Sequence, residues 1–472
     1  MTPSSPPRWQ MLLYASGSLA VALSYQAFAT YIQFLYIDVF GLRAAWVGFA
    51  WSLYGLWNAV NDPLAGYLSD RTHTRWGRRI PWIAGALVPL ALTFYLLWVP
   101  PAGIVAENGR SLLLYFLIII LLFDLCWTVV VMNWTALFPE MIPDEKDRAT
   151  VSAWRQVFSL IGVMVGVALP PVLVGEDWSG RGQMALLLTG VTAVFFGLSL
   201  LGSRERPEFR HDEPLSLRQS LRVTLTNRDF LHFLGANLMI QYIIVALTAT
   251  VPFYTKYVLK IQGNTRLMGL TLDPGTQNAL FLGIAFITAL PAMPVWTWAV
   301  RRWGAWQTMR ANVLITAVIL LGFFLPNQFS TGLLITATFG FTLAGILMLP
   351  DLLIADIIDA DELTTQVRRE GLYFGMNGLI IRLAFTAQGA IAGVILTLTG
   401  YLPPVGDELY PVQPTSAVFG IRFMAGGIPA LAMLLASWLL NGYSLRGSRL
   451  DTIRAHVTAL HNNKRARLTH NN

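Results

Sequence analysis

The sequence predicts an all-α polytopic membrane protein of about twelve transmembrane helices arranged as two six-helix bundles. Three observations carry the prediction. Of 472 residues, 55% are hydrophobic and 12% charged, a composition that a soluble globular chain of this length does not hold in solution. A window of ~20 apolar residues, enough to cross ~30 Å of hydrocarbon, fits along the chain about twelve times. The longest polar stretch, Ser203 to Arg228, falls between the sixth and seventh windows. It divides the chain into a first bundle over 1–202, a cytoplasmic linker over 203–228, a second bundle over 229–445 and a basic tail over 446–472.

The first span, centred near Ser24, follows the proline-rich start Met1 to Gln10. No small-residue cleavage signature interrupts it, so it is expected to serve as its own membrane signal. The second, near Leu56, carries Trp57-Asn58-Ala59-Val60-Asn61-Asp62-Pro63 and leads into the charged loop Asp70 to Arg79. The third centres near Leu90, and the fourth near Asp124 with Thr128 one turn on. The fifth, near Val163, brings Arg155 and the pair Gly162 and Gly166, a spacing that lets helix backbones approach. The sixth, near Val194, completes the first bundle. The remaining spans centre near Val245, Ala289, Val318, Thr342, Phe385 and Leu431, with Arg382, Gly389 and Gly393 in the eleventh. An Arg-rich turn follows the second span of each half, Arg75, Arg78 and Arg79 in one and Arg301 and Arg302 in the other, as a duplicated bundle would show. Trp9, Trp46, Trp98 and Trp303, near span ends, read as interfacial anchors.

With both termini inside, the inside segments hold 24 of the 33 Lys and Arg and the outside segments 6. Basic short loops stay cytoplasmic, so a plasma-membrane protein with both termini cytoplasmic is expected. The formal charge of +7 is then an inward basic collar facing lipid headgroups, not a nucleic-acid surface. The single cysteine, Cys126, excludes an internal disulfide and a thiolate cluster. The six histidines form no ligand pair at helical spacing, so no cofactor is expected beyond a coupling ion. Neither His-Glu-x-x-His, Gly-x-Ser-x-Gly nor a Walker-type phosphate loop occurs. No catalytic residue is assigned, and an enzyme or ATP-driven pump is not expected. The sequence carries no mark of an oligomeric state.

Polar residues inside the spans point to function. A carboxylate at the centre of a spanning helix costs about 2.5–3.5 kcal/mol, so such groups mark ion or substrate pathways by default. Asn58, Asn61 and Asp62 stand at i, i+3 and i+4, one face of a helix. Three oxygen-bearing side chains there suit a sodium ion, and the lone acid of Asp62 suits a proton. The bland alternative is an ion pair that holds the bundle closed. Pro63 removes a backbone donor and loosens the preceding turn. Thr128 can complete an oxygen cage from the fourth span. Asp124 is either a site residue or a helix-pairing acid satisfied by an Asn or Trp donor. The guanidinium groups of Arg155 and Arg382 cannot shed their charge and need an anionic or hydroxyl-rich partner, Asp62 with Arg382 being one pairing. Gate-like charges flank the helices: Asp70, Arg71, Arg75, Arg78 and Arg79 in one loop, and Arg368, Arg369 and Glu370 opposite Asp356, Asp359, Asp361 and Glu362 in another.

Four ordered motifs resemble a known family: Asn58 to Pro63; Gly66 to Trp82 with its Thr-Arg-Trp-Gly-Arg-Arg-Ile-Pro-Trp ending; Pro139-Glu140 with Asp147-Arg148; and Arg368 to Gly375. They are similar to the glycoside-pentoside-hexuronide:cation symporters, the melibiose permease group of the major facilitator superfamily. The resemblance covers essentially the whole chain. It implies the major facilitator fold, alternating access by two bundles around a midplane site, and H+ or Na+ coupled symport of a sugar or glycoside across the lipid bilayer. By motif, the cation ligands fall on Asn58, Asn61, Asp62 and Thr128, with Na+ at Asp62 one option. Asp124, Arg155, Arg382 and Asn377 fall near the substrate cavity. Two departures matter. Asn58 stands where galactoside-transporting members have Asp, which favours proton coupling through Asp62. Ala22 and Val131 stand at the positions of the sugar-binding acids, so galactoside specificity is not expected, and Gln26 and Gln33 are the candidate replacements. The runner-up is a lysophospholipid or amphiphile carrier of the same fold, because a related branch moves lipids; a drug exporter is third.

Overall fold

The computed structural model describes residues 6–72, 74, 76–107, 109–142, 145–205, 226–267, 269–365, 370–405 and 408–470. Hydrocarbon offers backbone amides no water, so long apolar runs satisfy them internally as helices. The helices are α1 (Arg8–Phe34), α2 (Ala44–Asp70), α3 (Ile80–Trp98), the short α4 (Ala102–Glu107), α5 (Arg110–Met141), α6 (Glu145–Val174) and α7 (Arg181–Gly202). Then follow α8 (Arg228–Phe253), the hairpin β1 (Thr265–Leu267) and β2 (Leu270–Leu272), α9 (Pro274–Trp303), α10 (Ala305–Leu321) and α11 (Phe329–Thr365). The chain closes with α12 (Glu370–Leu398), α13 (Thr415–Arg422), α14 (Ile428–Leu440) and α15 (Ser448–His470). Among the described residues, eleven helices are long and apolar enough to cross a membrane by length and composition. The predicted second span coincides with α2, a 27-residue helix outside those eleven. Val88 and Leu398, 74% and 79% exposed, are the kind of outward apolar surface that lipid covers.

Contacts divide the chain into two compact units. The first comprises Met1–Pro214, Thr248–Gly283 and Thr386–Ile421. Inside it α1 packs on α6 and α7, α2 on α5, and α3 on α5 and α7. A Cβ on Gly162 would lie 2.5 Å from the Leu19 carbonyl oxygen and one on Gly166 2.8 Å from that of Leu23. The expected close approach of helix backbones is therefore realised between α6 and α1. Phe28 is the hub of the aromatic core, with ring centroids 5.4 Å from Trp51 and 5.0 Å from Phe123. The second unit comprises Leu215–Leu247, Ile284–Phe385 and Arg422–Asn472. In it α10 packs on α11 and α14, and α15 lies along α11. Arg454 of α15 donates to Asp356 of α11 at 2.7 Å.

The exits of α1 and α8 share a local geometry. Both α1 and α8 end in a π turn, Leu35–Val39 and Tyr254–Val258. In the first, Phe40 and Leu42 N–H groups donate to the carbonyls of Leu35 (2.9 Å) and Tyr36 (2.8 Å). In the second, Leu259 and Ile261 donate to Tyr254 (3.0 Å) and Thr255 (3.1 Å). Each exit is closed by a left-handed residue at the same position, Gly41 (φ 69°) and Lys260 (φ 53°). Single π turns inside transmembrane helices mark functional positions often enough to direct attention here.

Candidate functional site

Asp62 of α2 and Asp124 of α5 each accept hydrogen bonds from the facing helix. Thr128 Oγ1 donates to Asp62 Oδ1 at 3.1 Å. Asn61 Nδ2 donates to Asp124 Oδ2 at 3.0 Å, and Tyr54 OH donates to Asp124 Oδ1 at 2.9 Å. Helical spacing explains the assembly: Asp124 and Thr128 are one turn apart on α5, while Asn61 and Asp62 are successive on α2 and fan toward them. Asn61, Asp124 and Thr128 are each at most 1% exposed. Asn61 Oδ1 is buried and has no hydrogen-bond partner among the described residues, a cost that an ion or proton bound beside it would remove.

The structure thus brings together Asn61, Asp62, Asp124 and Thr128. Asn58 lies on the same helix, but its Nδ2 donates to the Tyr54 carbonyl of its own backbone at 2.8 Å. Asp124 accepts from Asn61 and Tyr54, two donors on the facing helix. With it, α2 and α5 together present two carboxylates, although Asn58 takes the place of one. This oxygen set suits a small hard cation, and either acid can carry a proton.

Gln26 Nε2 donates to Thr30 Oγ1 at 3.1 Å along α1. The buried Gln33 donates to the Gly389 carbonyl at 3.1 Å and keeps an unpartnered Oε1 among the described residues. The half-buried Arg155 stacks its guanidinium over Trp134 (4.6 Å) and Phe138 (4.8 Å) in a cation–π contact, and its Nε is buried without a hydrogen-bond partner among the described residues. In the second unit, Asn377 accepts from Asn237 of α8, and Arg382 is half-buried on α12. Asp62 belongs to the first unit and Arg382 to the second.

Of the gate-like residues, the side chains of Asp70, Arg75, Arg368, Arg369 and Glu370 lie outside the described residues. Arg71 is exposed and Arg78 buried. The loop is organised by a residue that sequence reasoning missed. Glu205 accepts the backbone N–H groups of Arg78, Arg79 and Ile80, each at 2.7 Å, and so caps the first turn of α3. Gly77 makes room for it: its φ is +112°, and a Cβ there would sit 2.4 Å from the Glu205 carboxylate.

A second missed cluster closes the far end of α1. Asp38, 1% exposed, pairs with Lys256 and accepts the phenolic hydroxyls of Tyr257 and Tyr401. Burial, with Asp38 adding to it, lifts the Tyr401 phenol well above its ordinary range, so it remains a donor at any working pH. The acid comes from the first π turn and Lys256 and Tyr257 from the second.

The family described as MFS/sugar transport protein matches residues 13–447. An uncharacterized symporter of Synechocystis is 25% identical over 509 residues, covering 90% of this chain and 91% of the relative. The isoprimeverose transporter of Lactiplantibacillus pentosus is 24% identical over 437 residues, covering 89% of this chain and 87% of the relative. A solved bacterial homologue of the human lysosomal transporter Spinster, inward-facing and unoccupied, superposes with a TM-score of 0.65 at 13% identity, over 93% of this chain and 97% of that one. That likeness shows the fold.

Proposed function

This chain belongs to the MFS/sugar transport protein family, and from that premise we propose that it is a carrier, not an enzyme, which moves a sugar or glycoside together with H+ or Na+ by alternating access. The observation that supports the reading best is the half-buried pairing of Asp62 with Thr128 beside the buried pairing of Asp124 with Asn61 and Tyr54. Two acids with facing oxygens inside membrane helices are expensive to keep for packing alone. Names of relatives point the same way, since they include a symporter and an isoprimeverose transporter.

In this reading the two six-span halves, residues 1–202 and 229–445, rock about a central substrate site, with both termini cytoplasmic in the plasma membrane. The α2–α5 acids take the coupling ion. Asp62 carries the exchangeable proton or holds sodium with Thr128, and Asp124 keeps Asn61 aimed at the same place. Arg155, Asn377 and Arg382 contribute hydroxyl-recognising groups toward the solute, and Gln26 stands at the α1 side. The Asp38–Lys256–Tyr257–Tyr401 cluster is the latch that holds the outer ends of the first and seventh spans together, and Glu205 on the α3 N-terminus organises the inner loop. Ion binding changes which arrangement is favoured only through its differential affinity for the two states.

Counterflow in proteoliposomes tests this. Labelled isoprimeverose and xylose are compared with labelled lysophosphatidylcholine, with and without sodium, at pH 6 and pH 8 (assay settings of about one unit on either side of neutrality). Exchange of a sugar that responds to sodium or to pH supports the reading. Exchange of the lysolipid alone contradicts it and favours the amphiphile carrier.

A further inference from the structure

Apart from the α2–α5 cluster, the first unit encloses a cavity of ≈ 380 Å³ between the ends of α1, α6 and α8 and the start of α9. Small-ligand sites occupy ~300–1,000 Å³ and combine an apolar wall with a few placed polar groups. This cavity has both.

Its aromatic part is Trp178, packed against Tyr31 and Phe34 with ring centroids 5.9 and 5.7 Å apart. Trp178 has φ 60°, a left-handed conformation that costs a bulky L residue on the order of 1–2 kcal/mol. Such strain persists where the surroundings over-determine it, and binding sites are where it gathers. Here the loop is fixed by Gly180 N–H on the Val174 carbonyl (3.0 Å) and by Ser179 N–H on Asp177 (3.0 Å).

Val174, Val251, Ile261 and Leu282 extend the apolar wall, and a few polar groups are set into it. Asn278 Oδ1 is shut from solvent and has no hydrogen-bond partner among the described residues. Asp273 accepts Thr276 N–H at 3.2 Å, and its bonds to Thr276 hold it below the usual carboxylate range, so it is a charged acceptor. Glu176 accepts from Tyr410 OH at 2.8 Å. The frame is stiff: Gln277 Nε2 ties the hairpin loop through Gly263 (2.7 Å) and Leu272 (3.0 Å) carbonyls. A Cβ on Gly275 would lie 2.4 Å from the Pro171 carbonyl, so the start of α9 and the end of α6 touch backbone to backbone.

We propose that this cavity is a second carbohydrate site, which holds a mono- or disaccharide at the outer ends of the spans, distinct from the central transport site. The proposal rests on the sugar-transport reading. A pyranose offers apolar C–H faces to aromatic rings and a rim of hydroxyls, each one donor and two acceptors. Trp178 supplies the platform, Asp273 and Glu176 supply acceptors for the hydroxyl protons, and the unpartnered Asn278 Oδ1 gains a donor when its side chain turns toward a bound hydroxyl. An anion fits poorly, because it meets the two carboxylates of the lining while the Lys256 charge is already answered by Asp38.

The test uses the single native cysteine. In a Cys126→Ala chain, Asn264→Cys on the cavity lining is alkylated from outside by a membrane-impermeant maleimide, with xylose, glucose, isoprimeverose, choline or no addition present. Counterflow is measured on the same proteoliposomes. We expect at least one sugar to slow alkylation saturably by fivefold or more, and Asn278→Ala to raise the half-protecting concentration about tenfold. Val172→Cys, also lining the cavity, repeats the reading from a second position. Counterflow of sugar with no protection at either position overturns the cavity proposal and leaves the transport reading standing. Loss of both overturns both, and protection by choline alone overturns the assignment of ligand class.

Discussion

Asp38→Asn tests the latch. Asp38 is 1% exposed and its partner Lys256 has a side chain 14% exposed. Removing one charge of a buried, hydrogen-bonded pair typically costs about 3–5 kcal/mol, because the other charge stays behind without its partner. Asparagine keeps an acceptor for Tyr257 and Tyr401, so the lower figure applies. At 1.4 kcal/mol per tenfold, ~3 kcal/mol shifts the balance between latched and open forms about 100-fold. The reporter is Thr255→Cys in the Cys126→Ala chain, because Thr255 is 2% exposed next to Lys256. Its alkylation by a membrane-impermeant maleimide accelerates about 100-fold on Asp38→Asn. Removing the stranded cation as well, in Asp38→Asn/Lys256→Gln, returns the rate at least tenfold toward the parent. An unchanged rate in the single variant, or a faster one in the double, refutes the reasoning.

Three further outcomes follow from the same geometry. Gly162→Leu forces a side chain into the Leu19 carbonyl contact and lowers thermal stability by the equivalent of about 1–3 kcal/mol, read by scanning fluorimetry in detergent, whereas an unchanged midpoint removes the α1–α6 contact from the account. Lys260→Gly relieves a left-handed lysine where the repeat has Gly41, raising the midpoint by the equivalent of about 1 kcal/mol, and a lowered midpoint contradicts the strain assignment. Glu205→Gln weakens the cap on Arg78, Arg79 and Ile80 by about 1 kcal/mol, which is seen as faster amide hydrogen exchange at the start of α3, and unchanged exchange there excludes the capping role.

Fold class was legible because membrane helices are written in long apolar windows, and the family was legible because its charged loops carry ordered motifs. The α2–α5 site was partly legible. Helical spacing puts Asn61 and Asp62 on one face and Asp124 and Thr128 on another, but which faces meet is a packing result, and the role of Tyr54 as donor to Asp124 depends on it. The latch was not legible. Its acid and its tyrosine donor are 219 residues apart, and Lys256 reads in isolation as one more loop charge. The signal lay in comparing the exits of the first and seventh spans, where the π turns repeat. Glu205 was hidden in a polar linker, and Asn237 was a lone amide in an apolar span until Asn377 was found against it.

Asp62→Asn gives the most direct test of ion coupling. Proteoliposomes holding this variant or the parent are loaded for counterflow, and separately given an inward proton or sodium gradient with labelled sugar outside. The account predicts that the variant loses gradient-driven accumulation and keeps downhill exchange, because the carrier still rocks but no longer trades an ion at that acid. Accumulation equal to the parent's would show that coupling does not run through Asp62.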